Sequence, residues 1–253
     1  MIQVEWFKDW LEYSYALSTF WNKILGDVKI LYSNVDEFVL AAQWPKGRRS
    51  FGGLFLYSRN KVKKLAVKWL DYANSLNFDV ILLTEEKVDF PVDAKSYFFI
   101  WDLSKASFLE ACKTVEIKIL DYCEAVNAVK EVTKDSWGFS VTPRKNLHLI
   151  LSAWIGDEVV GIAMLNRYNF NIDFGVHVSR RYWKKRIGTR LLVEAASIAK
   201  SKGARYLTVV RVLRGLKETK ADKAAISFYR ANKHTLTLRV YRLAKAFRKY
   251  FTL

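Results

Sequence analysis

Apolar residues recur along this chain at helical and strand spacing, most clearly between residues 176 and 203. One face of a helix at 3.6-residue spacing is made by Leu191, Leu192, Ala195, Ile198 and Ala199. Gly203 is placed to cap the C-terminus of that helix, a basic turn with one glycine precedes it, and the apolar strand Tyr206–Val212 follows. Because a helix N-terminus presents unpaired N–H groups, this strand, turn and helix predict a phosphate site.

The second half of the chain continues the pattern on both sides of that turn. The predicted elements are strand Val115–Leu120, a helix capped by Asp121 through about Val132, strands Leu147–Trp154, Val159–Asn166 and Phe170–Val178, a helix capped by Asp222, and strand Thr235–Leu243. In Phe170–Val178, apolar residues alternate with Asn171, Asp173, Gly175 and His177. The alternation predicts one buried face and one polar face that lines a cleft.

The first half repeats the same order of elements. An N-terminal helix is followed by strands near Val28–Tyr32, Phe38–Ala42 and Leu54–Tyr57, a helix starting at Asn60, and strands Val80–Leu83 and Tyr97–Trp101. The apolar face of the second helix is predicted to be Val62, Leu65, Trp69, Tyr72 and Leu76. A change of pattern near Ser104 to Thr114 places a boundary between a domain at 1–112 and one at 113–253.

Composition indicates a folded, water-soluble protein of 253 residues, 51% of them hydrophobic. No apolar run approaches the roughly 20 residues that span a bilayer, and the N-terminus lacks the features of a signal peptide, so no membrane partner is expected. The two cysteines, Cys112 and Cys123, and the three scattered histidines indicate neither a metal site nor a disulfide framework. A cytoplasmic location is expected.

Positive charge is concentrated in the second half. Residues 1–112 hold 14 Lys and Arg against 14 Asp and Glu, whereas residues 113–253 hold 28 against 11, which accounts for the whole net charge of +17. A basic surface of this kind attracts polyanions, although a solvated lysine-rich face is its commoner explanation.

Residues 113–245 resemble the GNAT superfamily of acyl-CoA-dependent N-acyltransferases. That family has a strand ending in valine, then Arg or Gln, two residues, Gly, one residue, and Gly or Ala opening a helix. Val178 and Gly188 match, whereas Trp183 stands in place of Arg or Gln and Arg186 in place of the first glycine. The family's second pattern, Asn-x-x-Ala-x-x-x-Tyr before a Gly-Phe pair, is matched by Ala225 and Tyr229, with Asp222 for Asn and Lys233-His234 for Gly-Phe.

The resemblance implies a mixed α/β fold: a GNAT-like acetyltransferase domain preceded by a smaller α/β domain, with a degenerate GNAT-like copy as one interpretation of that first domain. It also implies acetyl-CoA as co-substrate, held between splayed parallel strands that end near Val178 and start near Tyr206. The residues implied to bind it are Val176, His177, Val178, Lys184, Lys185, Arg186, Ile187, Gly188, Thr189, Asp222 and Tyr229. If the turn needs a positive φ at Arg186, that residue is strained.

The implied chemistry is direct attack of a neutral amine on the thioester, with an acid for the thiolate and a base for the ammonium. Tyr229 matches the family's usual acid, and a core aromatic is its plain interpretation. His177 and Asp173 are candidate bases on the polar face of their strand, with water relays as the alternative. A backbone N–H near Val178 is expected to hold the oxyanion.

The acceptor is less defined, and the basic segment around residues 212–220 is its best clue. Arg211, Arg214, Lys217, Lys220 and Lys223 would attract an acidic acceptor, an acidic protein partner or nucleic acid. A second hypothesis is a degenerate fold that acts as a basic nucleic-acid-binding or regulatory module. A third makes residues 1–112 a substrate-specifying domain of an enzyme similar to glycine N-acyltransferases.

Overall fold

The protein is described by a computed structural model that covers residues 2–14, 27–46, 49–89, 91–213 and 215–244. The helices are α1 (Val4–Glu12), α2 (Val62–Ser75), α3 (Tyr122–Trp137), α4 (Ile187–Ser201) and α5 (Lys220–Ala231). The strands are β1 (Val28–Ser33), β2 (Glu37–Lys46), β3 (Arg49–Ser58), β4 (Asp79–Thr84), β5 (Val92–Asp102), β6 (Glu116–Leu120), β7 (His148–Ile155), β8 (Glu158–Asn166), β9 (Ile172–Val178), β10 (Tyr206–Val212) and β11 (Leu236–Leu243). Within the described ranges, no helix combines the length and the apolar character that crossing a bilayer requires.

The strands form two sheets. A seven-stranded sheet has the order β1-β2-β3-β4-β11-β5-β10, and a four-stranded sheet has the order β6-β7-β8-β9. Both antiparallel and parallel pairs occur, because β3 and β4 are joined through α2 and run parallel, whereas β2 and β3 form a hairpin. The predicted mixed α/β fold class is confirmed.

The chain divides into two compact units. Unit 1 takes in the described residues of 1–98, 211–224 and 237–253, and unit 2 takes in residues 99–210 and 225–236. A compact unit is defined by its internal packing and not by independent folding, so the domain boundary between residues 112 and 113 stays a prediction.

In unit 1, α2 packs on β3 and β4 through a face that matches the predicted one only at Val62 and Leu65. The buried positions are Val62, Leu65, Ala66, Leu70 and Ala73, whereas Tyr72 and Leu76 are exposed and Trp69 is half-buried. The face is therefore rotated from the predicted one, because the small side chains of Ala66 and Ala73 let the helix approach the sheet and the large aromatic residues are left at its margin. The helix begins after Lys61, not after the predicted cap Asn60.

In unit 2, α3 and α4 cover the four-stranded sheet with amphipathic faces. The α3 side of the core contains Ala125, Val129, Val132, Ile150, Ile162 and Met164. The predicted apolar face of α4 is confirmed at Leu191, Leu192, Ala195 and Ala199, and Ile198 lies at its half-buried edge. Helix α3 runs five residues past the predicted end at Val132 and closes on Gly138, whose φ of 84° is the left-handed conformation favoured at a helix C-terminus.

Candidate functional site

The parallel strands β9 and β10 touch at one point and then separate. Their backbones form a single isolated parallel bridge, Asn171 to Thr208, where the Thr208 N–H donates to the carbonyl oxygen of Phe170 at 3.2 Å. Beyond that bridge β9 pairs only with β8, while β10 belongs to the other sheet. The Thr208 hydroxyl also donates to Asn171 Oδ1 at 2.9 Å, so side chains fix the point from which the strands diverge.

A bulge bends β9 just after this point. The register with β8 runs from Met164 and Asp173 directly to Ala163 and Val176, so Phe174 and Gly175 are extra residues in β9. Both have positive φ values, 64° and 89°. Glycine suits the second position for another reason too, because a Cβ there would lie 2.6 Å from the hydroxyl oxygen of Tyr229.

Tyr229 lies over the bulge. Its hydroxyl oxygen accepts the N–H of Val176 at 3.1 Å. Its ring is buried and packs against Phe99 and Phe228, each with a centroid distance of 5.0 Å, and against Trp101 at 6.1 Å. The packing holds the phenol in one orientation, with its oxygen at the open side of β9.

The backbone of β9 beyond the bulge offers polar groups on its open side. The Ser179 N–H donates to the carbonyl oxygen of Val160 in β8, which places residues 177 and 179 in the ladder with β8. Because alternate residues of a strand direct their backbone groups to the same side, Val176 and Val178 direct theirs away from β8. The bond from Val176 to Tyr229 agrees with that direction.

The turn between β9 and α4 contains two non-glycine residues in the left-handed conformation. It runs over eight residues, 179–186, and α4 begins at Ile187. Lys184 and Arg186 have φ values of 63° and 59°, the left-handed conformation that glycine usually supplies. The positive φ at Arg186 makes it a strained position, as the sequence suggested, at a cost of about 1–2 kcal/mol.

The predicted cofactor-binding residues of this turn differ in exposure. Lys184, Lys185 and Arg186 are exposed, Gly188 is half-buried, and Ile187 and Thr189 are buried, so only backbone atoms of the last two are candidates for contact with a ligand. The Arg186 side chain donates to the carboxylate of Glu110 at 3.1 Å, and its carbonyl oxygen accepts the N–H of Cys112 at 3.4 Å. A Cβ at Gly188 would lie 3.2 Å from the Phe228 ring, which explains the small residue at the start of α4.

The carboxylate of Asp173 is fully buried and held by three side-chain donors. His148 Nε2 lies 3.0 Å away, Asn171 Nδ2 2.5 Å away and Asn166 Nδ2 3.3 Å away. His148 Nδ1 accepts the backbone N–H of Arg144 at 3.0 Å, so we assign the ring as neutral with its proton on Nε2. A buried anion is tolerated where its oxygens are satisfied in this way.

His177 is also buried, with both ring nitrogens engaged. Nε2 lies 3.1 Å from the carbonyl oxygen of Phe174, which can only accept, so Nε2 carries the proton and Nδ1 accepts the hydroxyl of Ser136 at 2.8 Å. Trp137 of α3 packs edge-on against the imidazole at 4.7 Å. The predicted open polar face of β9 is wrong, because Asp173, Gly175 and His177 are buried, while Phe174, Val176 and Val178 are half-exposed.

Asp222, a predicted cofactor-binding residue, lies in unit 1 among protein partners. Its carboxylate accepts Arg211 Nη2 at 2.7 Å and the hydroxyl and N–H of Thr219 at 2.7 and 3.0 Å. Thr219 accepts the Asp222 N–H in return, so the two residues form a reciprocal cap at the start of α5. Burial raises the pKa of Asp222, but the bonds from Thr219 and Arg211 outweigh it and lower the pKa below the usual 3.8. Its predicted contact with a cofactor stays a prediction.

The basic segment predicted near the acceptor is only partly exposed. Arg211 is buried against Asp222, whereas Lys217, Lys220 and Lys223 are exposed. Arg214 lies outside the described residues. Cys112 and Cys123 are free thiols, and the described residues contain no cluster of three or more His, Cys, Asp or Glu able to hold a metal ion.

Sequence reasoning missed the partners that hold these groups. Ser136, His148, Asn166 and Thr208 come from α3, β7, β8 and β10, and no local spacing connects them. The one local signal was the set of three asparagines between the end of β8 and the start of β9, Asn166, Asn169 and Asn171. Amide side chains grouped in this way must find hydrogen-bond partners when they are buried.

The parallel pair that opens after one bridge, the bulge of β9 and the turn before α4 all lie between residues 171 and 208. Residues 115–232 match the model of the acetyltransferase (GNAT) family, and this part of the chain is therefore a GNAT acetyltransferase domain. The resemblance stated for residues 113–245 is confirmed over residues 115–232, and the activity that such a domain supports is acyl transfer.

Other comparisons add context. No curated protein matches the chain. The chain is similar to the solved GCN5-related N-acetyltransferase of Sphaerobacter thermophilus, with 14% identity over 82% of this chain and 80% of that one and a TM-score of 0.46. It is similar to the GCN5-related N-acetyltransferase of Kribbella flavida, with 10% identity over 87% and 91% and a TM-score of 0.48. The C-terminal domain of a putative lysylphosphatidylglycerol synthetase from Agrobacterium fabrum matches at 8% identity over 98% and 93%, with a TM-score of 0.44. The family assignment rests on the match at residues 115–232.

Proposed function

We propose that the protein is an N-acetyltransferase that moves an acetyl group from acetyl-CoA to an amine acceptor by direct attack in a ternary complex. The observation that carries this proposal is the position of the Tyr229 hydroxyl, 3.1 Å from the Val176 nitrogen at a bulge where β9 leaves β10. A thioester placed along the open side of β9 would meet a phenol donor and backbone N–H groups at the same place.

The donor substrate fits the groups that this side of β9 offers. The pantetheine arm carries amides, and amides pair with the backbone groups of a strand edge such as those of Val176 and Val178. The diphosphate carries negative charge, which suits the N-terminus of α4 and the exposed side chains of Lys184 and Lys185. Arg186 would act through its backbone, because its side chain is bonded to Glu110.

Tyr229 is the proposed acid. Its oxygen accepts the Val176 N–H, and its own proton is then a donor for the thiolate that leaves when the C–S bond breaks. The Val178 N–H, on the same side of β9, is the proposed donor to the oxyanion that develops on the carbonyl oxygen. In this scheme the neutral amine forms the new C–N bond as the C–S bond breaks, the departing thiolate takes the proton of Tyr229, and the proton that the acylated nitrogen then loses returns to the Tyr229 oxygen.

The proposed base is His177, reached through Ser136. Ser136 is half-buried at the end of α3, and its hydroxyl donates to His177 Nδ1 at 2.8 Å. An acceptor ammonium beside Ser136 would pass a proton to the serine oxygen as the serine proton moves to Nδ1. Asp173 suits this role less well, because its carboxylate is fully enclosed by His148, Asn166 and Asn171. We assign it to holding the strands in place.

The acceptor is proposed as an amine on a small molecule or a protein. The exposed Lys217, Lys220 and Lys223 favour an acceptor or partner with acidic groups, by charge complementarity. Nucleic-acid binding by a degenerate fold is the competing hypothesis, and no contact among the described residues favours it.

The test combines binding with kinetics. Acetyl-CoA should raise the melting temperature in a concentration-dependent way, with about 2.7 kcal/mol of stabilisation at a hundredfold excess over Kd. A screen of amines and peptides with labelled acetyl-CoA then identifies the acceptor. Tyr229→Phe should lower kcat by about 10²–10⁴-fold and leave Kd for acetyl-CoA nearly unchanged, because only proton donation is lost.

Tyr206→Phe is the matched control, because Tyr206 is another buried tyrosine of unit 2, located in β10. It should keep kcat within a few-fold of the parent. Equal kcat in the parent and in Tyr229→Phe would remove Tyr229 from the mechanism, and a protein that neither binds acetyl-CoA nor transfers its label would refute the proposed function.

A further inference from the structure

The open side of β9 is partly covered in this structure by a residue of its own turn. The indole Nε1–H of Trp183 donates to the carbonyl oxygen of Val178 at 2.6 Å. Val178 directs that oxygen away from β8, because the neighbouring Ser179 N–H is the one that pairs with Val160 of β8. The indole therefore lies along the edge that a strand-like ligand would use.

The local fold brings the indole back to the strand. A short 3-10 turn, Arg180–Tyr182, follows β9, and the Trp183 N–H donates to the carbonyl oxygen of Arg180 at 3.2 Å to close it. Lys184 then takes a left-handed conformation with φ of 63°. The ring is not part of the core, since half of its surface is exposed. The bond to Val178 therefore fixes the position of a large apolar side chain that is half exposed to solvent.

The Trp183 indole and an amide of a bound ligand cannot both occupy the open edge of β9. Strands that pair lie about 4.8 Å apart, and an amide bonded to Val178 would need the space that the indole fills beside the same oxygen. The alternative position for Trp183, swung out from the edge, exposes the carbonyl oxygen of Val178 together with the N–H of the same residue.

We propose that Trp183 is an affinity-determining residue for acyl-CoA, whose indole N–H occupies the backbone acceptor of Val178 in the free protein and is displaced when the pantetheine arm binds. This inference rests on the proposed function, because it concerns the same edge of β9. Its consequence is that the donor binds more weakly, and associates more slowly, than the exposed turn would otherwise allow.

The test compares Trp183→Phe with the parent by calorimetry and stopped-flow mixing with CoA. Phenylalanine keeps an aromatic ring but has no N–H, so the competing hydrogen bond is lost and Kd should fall about three- to tenfold, with a faster association rate. The matched control is Trp154→Phe, which removes an indole N–H bonded to Ser152 in β7 at 2.8 Å and should leave Kd unchanged. The melting temperature of each variant shows that it is folded.

A second measurement follows the indole itself. In protein labelled with ¹⁵N at the tryptophan indoles, the Nε1–H signal of Trp183 is identified by its absence from the spectrum of Trp183→Phe. This proton should exchange slowly with solvent in the free protein and faster once CoA is bound. Fast exchange in the free protein, or a Trp183→Phe variant that binds CoA no more tightly than the parent, would overturn this inference alone. Failure of parent and variants alike to bind CoA would instead overturn the proposed function.

Discussion

Unit 1 and unit 2 each contain a strand, a helix and a second strand parallel to the first. The two strands are paired continuously in unit 1 and share one bridge in unit 2. In unit 1, β3 and β4 flank α2 and pair through five consecutive residues, Gly53–Tyr57 with Asp79–Leu83. In unit 2, β9 and β10 flank α4 and share one bridge. The same order of elements therefore yields either a continuous parallel pair or a pair joined by one bridge, and the order alone does not indicate a site.

Two local features account for the difference. Strand β3 pairs with β2 through ten residues without a register shift, whereas β9 carries the two-residue bulge at Phe174 and Gly175. The connection to the helix has three residues, 59–61, in unit 1 and eight, 179–186, in unit 2. A bulge turns the strand away from its neighbour, and a long turn supplies backbone N–H groups for an anion. We expect donor binding at the open pair only.

The largest expected effect comes from replacing one glycine by alanine in each of the two strand pairs, Gly175 in β9 and Gly53 in β3. Gly175→Ala should lower kcat/KM about a hundredfold, because Gly175 has a φ of 89° and a Cβ would lie 2.6 Å from the Tyr229 oxygen. Gly53→Ala should leave kcat/KM unchanged, since its Cβ would meet neighbours at an ordinary 3.4–3.5 Å. Steady-state kinetics of both variants decide the matter, and similar losses would mean that the bulge has no special role.

A second test concerns stability in unit 1. The lowered pKa of Asp222 means that its bonds to Thr219 and Arg211 stabilise the fold fully above the unfolded value of about 3.8, and that this contribution disappears as pH falls through the lower folded pKa. Asp222→Asn should lower the free energy of unfolding by about 2 kcal/mol at pH 7.

The matched control for Asp222→Asn is Asp71→Asn, because Asp71 lies on the exposed side of α2. Urea unfolding of parent and variants at pH 7 and at pH 3 provides the measurement. The gap between Asp222→Asn and the parent should narrow at the lower pH, and a gap that stays constant would argue against a charge-dependent role.

A third test concerns the basic turn. Replacing Lys184 and Lys185 together by alanine should weaken CoA binding about tenfold at low salt and reduce its salt dependence, because both side chains are exposed beside the N-terminus of α4. The same charge change at Lys63 and Lys64, exposed in the first turn of α2, should have no effect on Kd. Titrations at two salt concentrations separate the outcomes, and equal losses would point to net charge rather than to the turn.

The smallest expected effect is at the strained residue of that turn. Arg186→Gly should stabilise the fold by up to about 1 kcal/mol, because φ is 59° there and glycine adopts that conformation without strain. Arg190→Gly, four residues on and inside α4, should destabilise it by about 1 kcal/mol. Denaturant unfolding of both variants measures the change in the free energy of unfolding, which should be positive for Arg186→Gly and negative for Arg190→Gly. A destabilised Arg186→Gly would mean that the bond to Glu110 outweighs the backbone strain.

The sequence predicted the elements well but not the orientation of the polar residues in β9. The strands and helices of both halves follow from the spacing of their apolar residues, a local property. The burial of Asp173 and His177 depends on residues that come from other elements, His148 and Asn166 beside Asp173 and Ser136 beside His177. Alternation separates the two faces of a strand but does not indicate which face other elements cover, so it assigned these side chains to an open cleft.

The face of α2 was mispredicted for a related reason. Helical spacing places Trp69 and Tyr72 on a face that contains Val62 and Leu65, but close packing on β3 and β4 favours the smaller Ala66 and Ala73. The sequence also could not predict that one parallel strand pair is continuous and the other shares a single bridge. The number of backbone pairs between two parallel strands is not reflected in their amino-acid composition.

The packing around Tyr229 has a practical consequence for fragments of this protein. Its ring lies against Phe99 and Trp101 of β5, and the Trp101 indole donates to the carbonyl oxygen of Asn232 at 2.8 Å. An expressed piece that starts at residue 115, where the family match begins, would omit both aromatic rings and also Glu110, the partner of Arg186. Studies of the family-matched part of the chain alone should therefore begin upstream of Phe99, or Tyr229 will lose the rings that orient it.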